Sequence, residues 1–263
     1  MFTETNQPPD GTNAGDVADG TPAPRRRRGR PSGPTPQSAE TRRALYRVAI
    51  ELFATLGYEE TTLRVIAERA GVSPGLLYRY FPSKRAVVLA LYDELSADFQ
   101  ARARSMPAGR WRDRFAFALE TSLAVLGPHR STLVALVPTL VAGRDEGLFA
   151  PATAFSRERV RSAFVEAVTG ATDAPRRAEA ETLGRALDLV HLCVLLLWLL
   201  DRSEDQRATA RVVAVIRRVL PAFALGYRLR VLRDLVRDLD AVARDALYDG
   251  RLPDGPARPT ATR

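Results

Sequence analysis

Residues 71–84 read GVSPGLLYRYFPSK, and most residue types in this stretch have a positional meaning. Ser73 suits a helix N-cap, and Pro74 suits the first helical position, where its missing N–H costs nothing. A short helix is therefore expected from Ser73 to about Tyr80, broken by Phe81 and Pro82. Immediately upstream, 62–70 predicts a second short helix. A Thr pair precedes it, Leu63, Ile66, Ala67 and Ala70 form one face, and Gly71 can end it and supply the turn. Two short helices joined by a tight Gly-containing turn form a helix-turn-helix, whose second helix enters the major groove of DNA.

Working outward, Leu45, Val48, Leu52 and Leu56 recur at helical spacing from Ser38, with Gly57 as the stop. A longer helix is expected from Ser83 through Val87, Leu91, Leu95 and Phe99, ending before Met106 and Pro107. Further helical segments read at about 111–126, 129–142, 152–168, 176–202 and 207–226, separated by Gly, Pro and Asp/Ser punctuation. A last amphipathic segment carries Leu232, Leu235, Leu239, Val242 and Ala246. No alternating strand pattern competes, so the expected class is all-α: a three-helix, homeodomain-like helix-turn-helix domain followed by a larger helical domain. The boundaries read as an N-terminal arm at 1–36, the DNA-binding domain at 37–84, the helical domain at 85–250 and a tail at 251–263. The arm and tail are rich in Pro, Gly and polar residues and are expected to be disordered.

Composition narrows the function classes. The chain of 263 residues has a formal net charge of +8 and a sequence pI near 10.3, which favours a polyanionic partner. Its single cysteine, Cys193, excludes an intrachain disulfide and a Cys-rich metal site, and fits a reducing cytoplasm. The polar N-terminal stretch does not read as a signal peptide. The most apolar run, 189–200, is shorter than the roughly 20 residues of a membrane-spanning helix, so no membrane partner is expected. The only histidines are His129 and His191, and neither G-x-S-x-G nor HExxH occurs. His191 and Cys193, two apart on a helix, face different directions. No enzyme, catalytic residue, metal or cofactor is therefore expected; an enzyme in the C-terminal bundle with an appended DNA-binding head is the outlying reading.

The stretch TTLRVIAERAGVSPGLLYRYFPSK resembles the N-terminal domain of TetR-family regulators over about 45 residues. The resemblance implies a cytoplasmic homodimer on a pseudo-palindromic operator, repression, and a C-terminal domain for ligand binding and dimerisation. The candidate DNA contacts are Thr62, Arg64, Ser73, Pro74, Gly75, Leu76, Tyr78, Arg79, Tyr80 and Lys84. On chemistry alone, Tyr78, Arg79 and Tyr80 offer donors to phosphates and base edges, while Pro74, Gly75 and Leu76 offer apolar contact to thymine methyls. By resemblance, Tyr78 and Tyr80 lean towards the backbone, Arg64 reads a base and the Thr62 hydroxyl bonds a phosphate. Lys84 and Arg85 oppose the macrodipole of their own helix, an objection that a nearby phosphate would remove. The RRRRGRP segment at 25–31 resembles an AT-hook core, with Arg27, Arg28 and Arg30 entering the minor groove; alternatively it is a solvated basic tail.

In the C-terminal part, Phe115, Leu119, Phe155, His191 and Leu195 are candidates for lining a small-molecule pocket, with His191 either a ligand contact or a satisfied core residue. Val212, Ile216, Val219 and Phe223 continue an apolar stripe that would serve a four-helix dimer seam or the core of one protomer. The resulting expectation is a sequence-specific, ligand-responsive transcriptional repressor, released by an effector of unknown identity. Its rival is an architectural DNA-binding protein that relies on the basic arm.

Overall fold

The computed structural model describes residues 35–142 and 147–247. Among the described residues every regular element is helical. In chain order they are α1 (Pro36–Leu56), α2 (Leu63–Arg69), α3 (Pro74–Tyr80), α4 (Lys84–Ala103), α5 (Trp111–Leu126), α6 (Arg130–Ala135), α7 (Val137–Ala142), α8 (Ala154–Thr169), α9 (Arg177–Leu200), α10 (Arg207–Gly226) and α11 (Arg230–Leu247). The basic segment with Arg27, Arg28 and Arg30, and the expected tail at 251–263, lie outside the described residues.

The first three helices start where side chains can satisfy their free N–H groups. Thr35, Thr62 and Ser73 each accept a hydrogen bond from the backbone N–H three residues on, at 3.2, 3.2 and 3.3 Å. Gly71 has φ +66°, a left-handed conformation that lets the chain reverse between α2 and α3. Behind this turn Phe53, Ile66, Ala67, Leu77 and Phe81 are fully buried, each larger side chain contributing about 1.5–3 kcal/mol. Thr61, overlooked as a mere neighbour of the cap, is buried and donates to the carbonyls of Leu52 and Gly57, which fixes the α1–α2 connection.

From the head, α4 runs into the larger bundle, burying Val87, Val88 and Leu91 near its start and Leu95, Phe99 and Ala103 further on. Phe99, Phe115 and Phe164 meet at ring-centroid distances of 5.8 and 5.9 Å, tying α4, α5 and α8 together. The Arg114 guanidinium crosses this core edge, donating to the carbonyls of Ala167, Glu166 and Pro107 and so closing the C-terminal turn of α8. A side chain at Gly184 would place its Cβ 2.5 Å from the Val165 Cα, so glycine is what permits the close α8–α9 approach.

Several sequence-based expectations need correction. The single helix expected at 129–142 is two helices, because Pro138 has no N–H for a continuing ladder and α6 closes at Leu136. The stripe of Val212, Ile216, Val219 and Phe223 does not act as one face: Ile216 and Phe223 pack on the core, whereas Val212 and Val219 face outward. In α11, Leu232 and Val236 turn inward while Leu235, Leu239 and Val242 remain exposed. Finally, the apolar run at 189–200 belongs to a 24-residue helix, which by length and composition alone could cross a membrane. Its buried side nevertheless carries Asp188 and His191 among apolar neighbours, and Arg185 on the same helix is paired through both carboxylate oxygens with Asp240 of α11 at 2.9 and 2.7 Å.

Candidate nucleic-acid interface

Leu77 anchors α3 to the core, so the opposite side of that helix faces solvent. Pro74, Gly75, Tyr78 and Arg79 are all exposed there, with Tyr78 at 54%. Thr62 and Arg64 at the start of α2, and Ser73 at the start of α3, are exposed as well. Leu76 and Tyr80 are half-buried, and Tyr80 packs its ring against the core. The geometry therefore separates Tyr78, a free phenol on a helix surface, from Tyr80, whose ring also stabilises the head.

Lys84 is engaged differently from the expectation. Its ammonium donates to the carbonyls of Tyr58 and Glu59 at 2.7 and 3.2 Å and lies 4.4 Å from the centre of the Tyr58 ring. The macrodipole objection at the start of α4 is thus met by two carbonyls and an aromatic face within the fold. Of its three donors, these carbonyls use two. Arg42 was not among the candidates, yet its guanidinium sits 4.9 Å over the ring of Phe81, beside the end of α3. The Arg42–Arg43 pair was the only signal in the sequence, and nothing local to it shows that α1 runs past α3.

The proposed pocket residues do not share one cavity. Phe115, Leu119 and His191 are buried in the bundle core, whereas Phe155 is 70% exposed and lines a separate groove beside α8. The aromatic that actually stacks on His191 is Phe164, at 4.5 Å between ring centres. Phe155 and Phe164 are nine residues apart on one helix, so periodicity could not tell which of them faced α9.

Around His191 the structure also shows a pairing that the sequence concealed. Ser122 Oγ and His191 Nε2 are 2.8 Å apart, joining residues 69 positions apart in the chain. Asp188 Oδ1 lies 3.6 Å from His191 Nδ1, beyond hydrogen-bond reach. None of the three side chains belongs to a residue more than 3% exposed. The Ser–His pair is thus sealed in the core, with a carboxylate nearby that is not aligned to bond it. Among the described residues no group of three or more His, Cys, Asp or Glu side chains could hold a metal.

Residues 45–91, from within α1 to within α4, match the family described as bacterial regulatory proteins, tetR family. The head of the chain is thus of the TetR type. The chain is similar to the HTH-type transcriptional regulator TcmR of Streptomyces glaucescens, 39% identical over 85 residues, 31% of this chain and 38% of that protein. It is also similar to the HTH-type transcriptional repressor KstR of Rhodococcus jostii, 28% identical over 178 residues, 66% of this chain and 68% of that protein. The TcmR match therefore spans well under half of that relative's length. The fold is similar to that of a tetR-family transcriptional regulator from Streptomyces coelicolor, with 24% identity and a TM-score of 0.51, covering 81% of this chain and 99% of that one.

Proposed function

We propose that this protein, with its TetR-type head, is a homodimeric transcriptional repressor that reads a pseudo-palindromic operator with one α3 per half-site and is released by a small-molecule effector. The observation that carries the reading is the exposed side of α3, with Pro74, Gly75, Tyr78 and Arg79 presented by a helix whose other side is anchored through Leu77. Such a helix places guanidinium and phenol groups at base edges and phosphates, and its short apolar patch at thymine methyls. Thr62 and Arg64 extend the contact from α2, and Arg42 adds a cation beside the end of α3.

Dimerisation is supported by apolar side chains left open on two long helices. Val190, Leu196 and Leu200 of α9, and Val212, Val215 and Val219 of α10, are exposed. Two such helices from each protomer suit a four-helix seam with two-fold symmetry, which would set the two α3 helices about one DNA turn apart. Release by an effector requires only that the ligand prefer a conformer with a different spacing of the heads. A chromosomal DNA target fits a cytoplasmic location.

Selection from a random duplex pool at near-physiological salt tests this reading. The full chain is expected to recover an inverted repeat, and Arg79→Ala and Tyr78→Ala should each weaken specific binding by about tenfold or more while leaving thermal stability unchanged. Lys84→Ala should lower both binding and stability, since it removes the link to the Tyr58 and Glu59 carbonyls. Recovery of fragments without a repeat, or full binding by Arg79→Ala and Tyr78→Ala together, would overturn the assignment of α3 as reader.

A further inference from the structure

At the end of the bundle remote from the head, a crevice of about 720 Å³ opens between the starts of α5 and α9 and the α10–α11 corner. The 20 residues of α4 separate it from the head by about 30 Å, so it is no part of the DNA-reading surface. Its volume falls within the range of small-molecule sites.

The charge lining it is lopsided. Arg110, Arg112, Arg176, Arg228 and Arg233 border the crevice, against the carboxylates of Asp173 and Glu179 alone. Both carboxylates already have work. Asp173 accepts the Trp111 backbone N–H at 2.8 Å and so caps α5, while Glu179 lies 3.8 Å from Arg233. Among the described residues no carboxylate comes within ion-pair distance of Arg110, Arg176 or Arg228, and all three are exposed. Arg176 is also the N-cap residue of α9, a helix of 24 residues that starts here without a side-chain cap, which adds to the positive potential.

The crevice has an apolar wall beside these cations. Trp111 meets Phe223 edge-on at 6.1 Å, Phe223 stacks with Tyr227 at 6.0 Å, and the Tyr227 hydroxyl donates to the Glu179 carbonyl at 3.2 Å. Pro221, Ala224 and Leu225 continue this wall along α10. Guanidinium groups without a carboxylate partner, lining the same crevice as an aromatic and aliphatic surface, match a ligand with an anionic head and an apolar body.

We propose that this crevice is a binding site for a small organic anion, its carboxylate or phosphate held by Arg176 and Arg228 and its apolar part set against Pro221, Ala224 and Leu225. The site draws on α11 and the corner before it, and it gives the arginines of that corner a role that DNA contact does not. It stands independently of operator recognition.

Isothermal titration of the full chain with phenyl phosphate, phenylacetate and the uncharged 2-phenylethanol tests the site. At least one anion is expected to bind, with 2-phenylethanol about tenfold weaker or worse, and the preferred anion identifies the head group. The Arg176→Gln/Arg228→Gln double variant should lose about tenfold or more in affinity for that anion while keeping the thermal midpoint of the free protein, since neither side chain has a partner to lose. If the double variant fails to fold, each single variant should show a loss of about threefold. Equal binding of the uncharged analogue, undiminished binding by the variants, or no binding of either anion would overturn the proposal.

Discussion

Asp201 shows how one side chain can fix a corner of this fold. Its carboxylate accepts the N–H and hydroxyl of Ser203 at 2.9 and 2.7 Å and the N–H and hydroxyl of Thr209 at 2.8 and 2.6 Å, joining the end of α9 to the start of α10. The Ser203 hydroxyl first, then that of Thr209 and the backbone donors, hold the carboxyl well below the usual carboxylate range. Because the folded-state pKa is depressed, this stabilisation is complete above the unfolded value of about 4 and is lost as pH falls from there towards the folded value. Asp201→Asn is therefore expected to lower the thermal midpoint at neutral pH and to reduce the loss of stability across the acid range, as melts at a series of pH values would show. An unchanged acid limb in the variant would assign that loss to other carboxylates. Asp205 and Gln206, at φ +51° and +53°, are the non-glycine left-handed residues that complete the same corner.

Gly184 plays the corresponding part for a helix pair. Gly184→Ala would force a methyl to within 2.5 Å of a backbone carbon of α8, and the helices must separate to accept it. A cost of about 1–3 kcal/mol is expected, measured as a lower midpoint in denaturant, with the α8–α9 packing weakened as a whole. This close approach was invisible in the sequence, where Gly184 reads only as a weak point in a helix. What was legible followed from local chemistry: Ser73 and Pro74 marked the start of α3 correctly, and Gly71 marked the turn. The ends of α5, α9 and α10 fell within two residues of their expected places because Gly, Pro and Asp punctuate them. What was not legible depended on which side of a helix meets which neighbour. Ile216 and Val219 are both apolar and three positions apart, yet only Ile216 packs on the core, because α10 has two adjacent apolar stripes and the bundle covers one. The exposed side of α3 follows from Leu77 being its one fully buried residue. Neither the distal crevice nor the Ser122–His191 pair could be read, since each joins segments more than fifty residues apart.

The open sides of α9 and α10 make a statement about the assembled molecule that a single thiol can test. Cys193 is exposed on α9 between Val190 and Leu196, within the surface proposed as the dimer seam. Its reaction with a thiol reagent is expected to be fast in very dilute protein and about tenfold slower or more once association is complete. Equal rates at both concentrations would place the seam elsewhere. The bond between Lys84 and the α1–α2 connection carries a mechanical consequence as well. It clamps the first turn of α4 to the head, so the head cannot stay behind when α4 tilts. A lever about 30 Å long, turned by about 6° at its far end, sweeps the head through about 3 Å, roughly one base-pair step along the duplex. In the proposed dimer, a repacking around Phe99 too slight to loosen the bundle would then put the two α3 helices out of phase with the helical repeat of an operator.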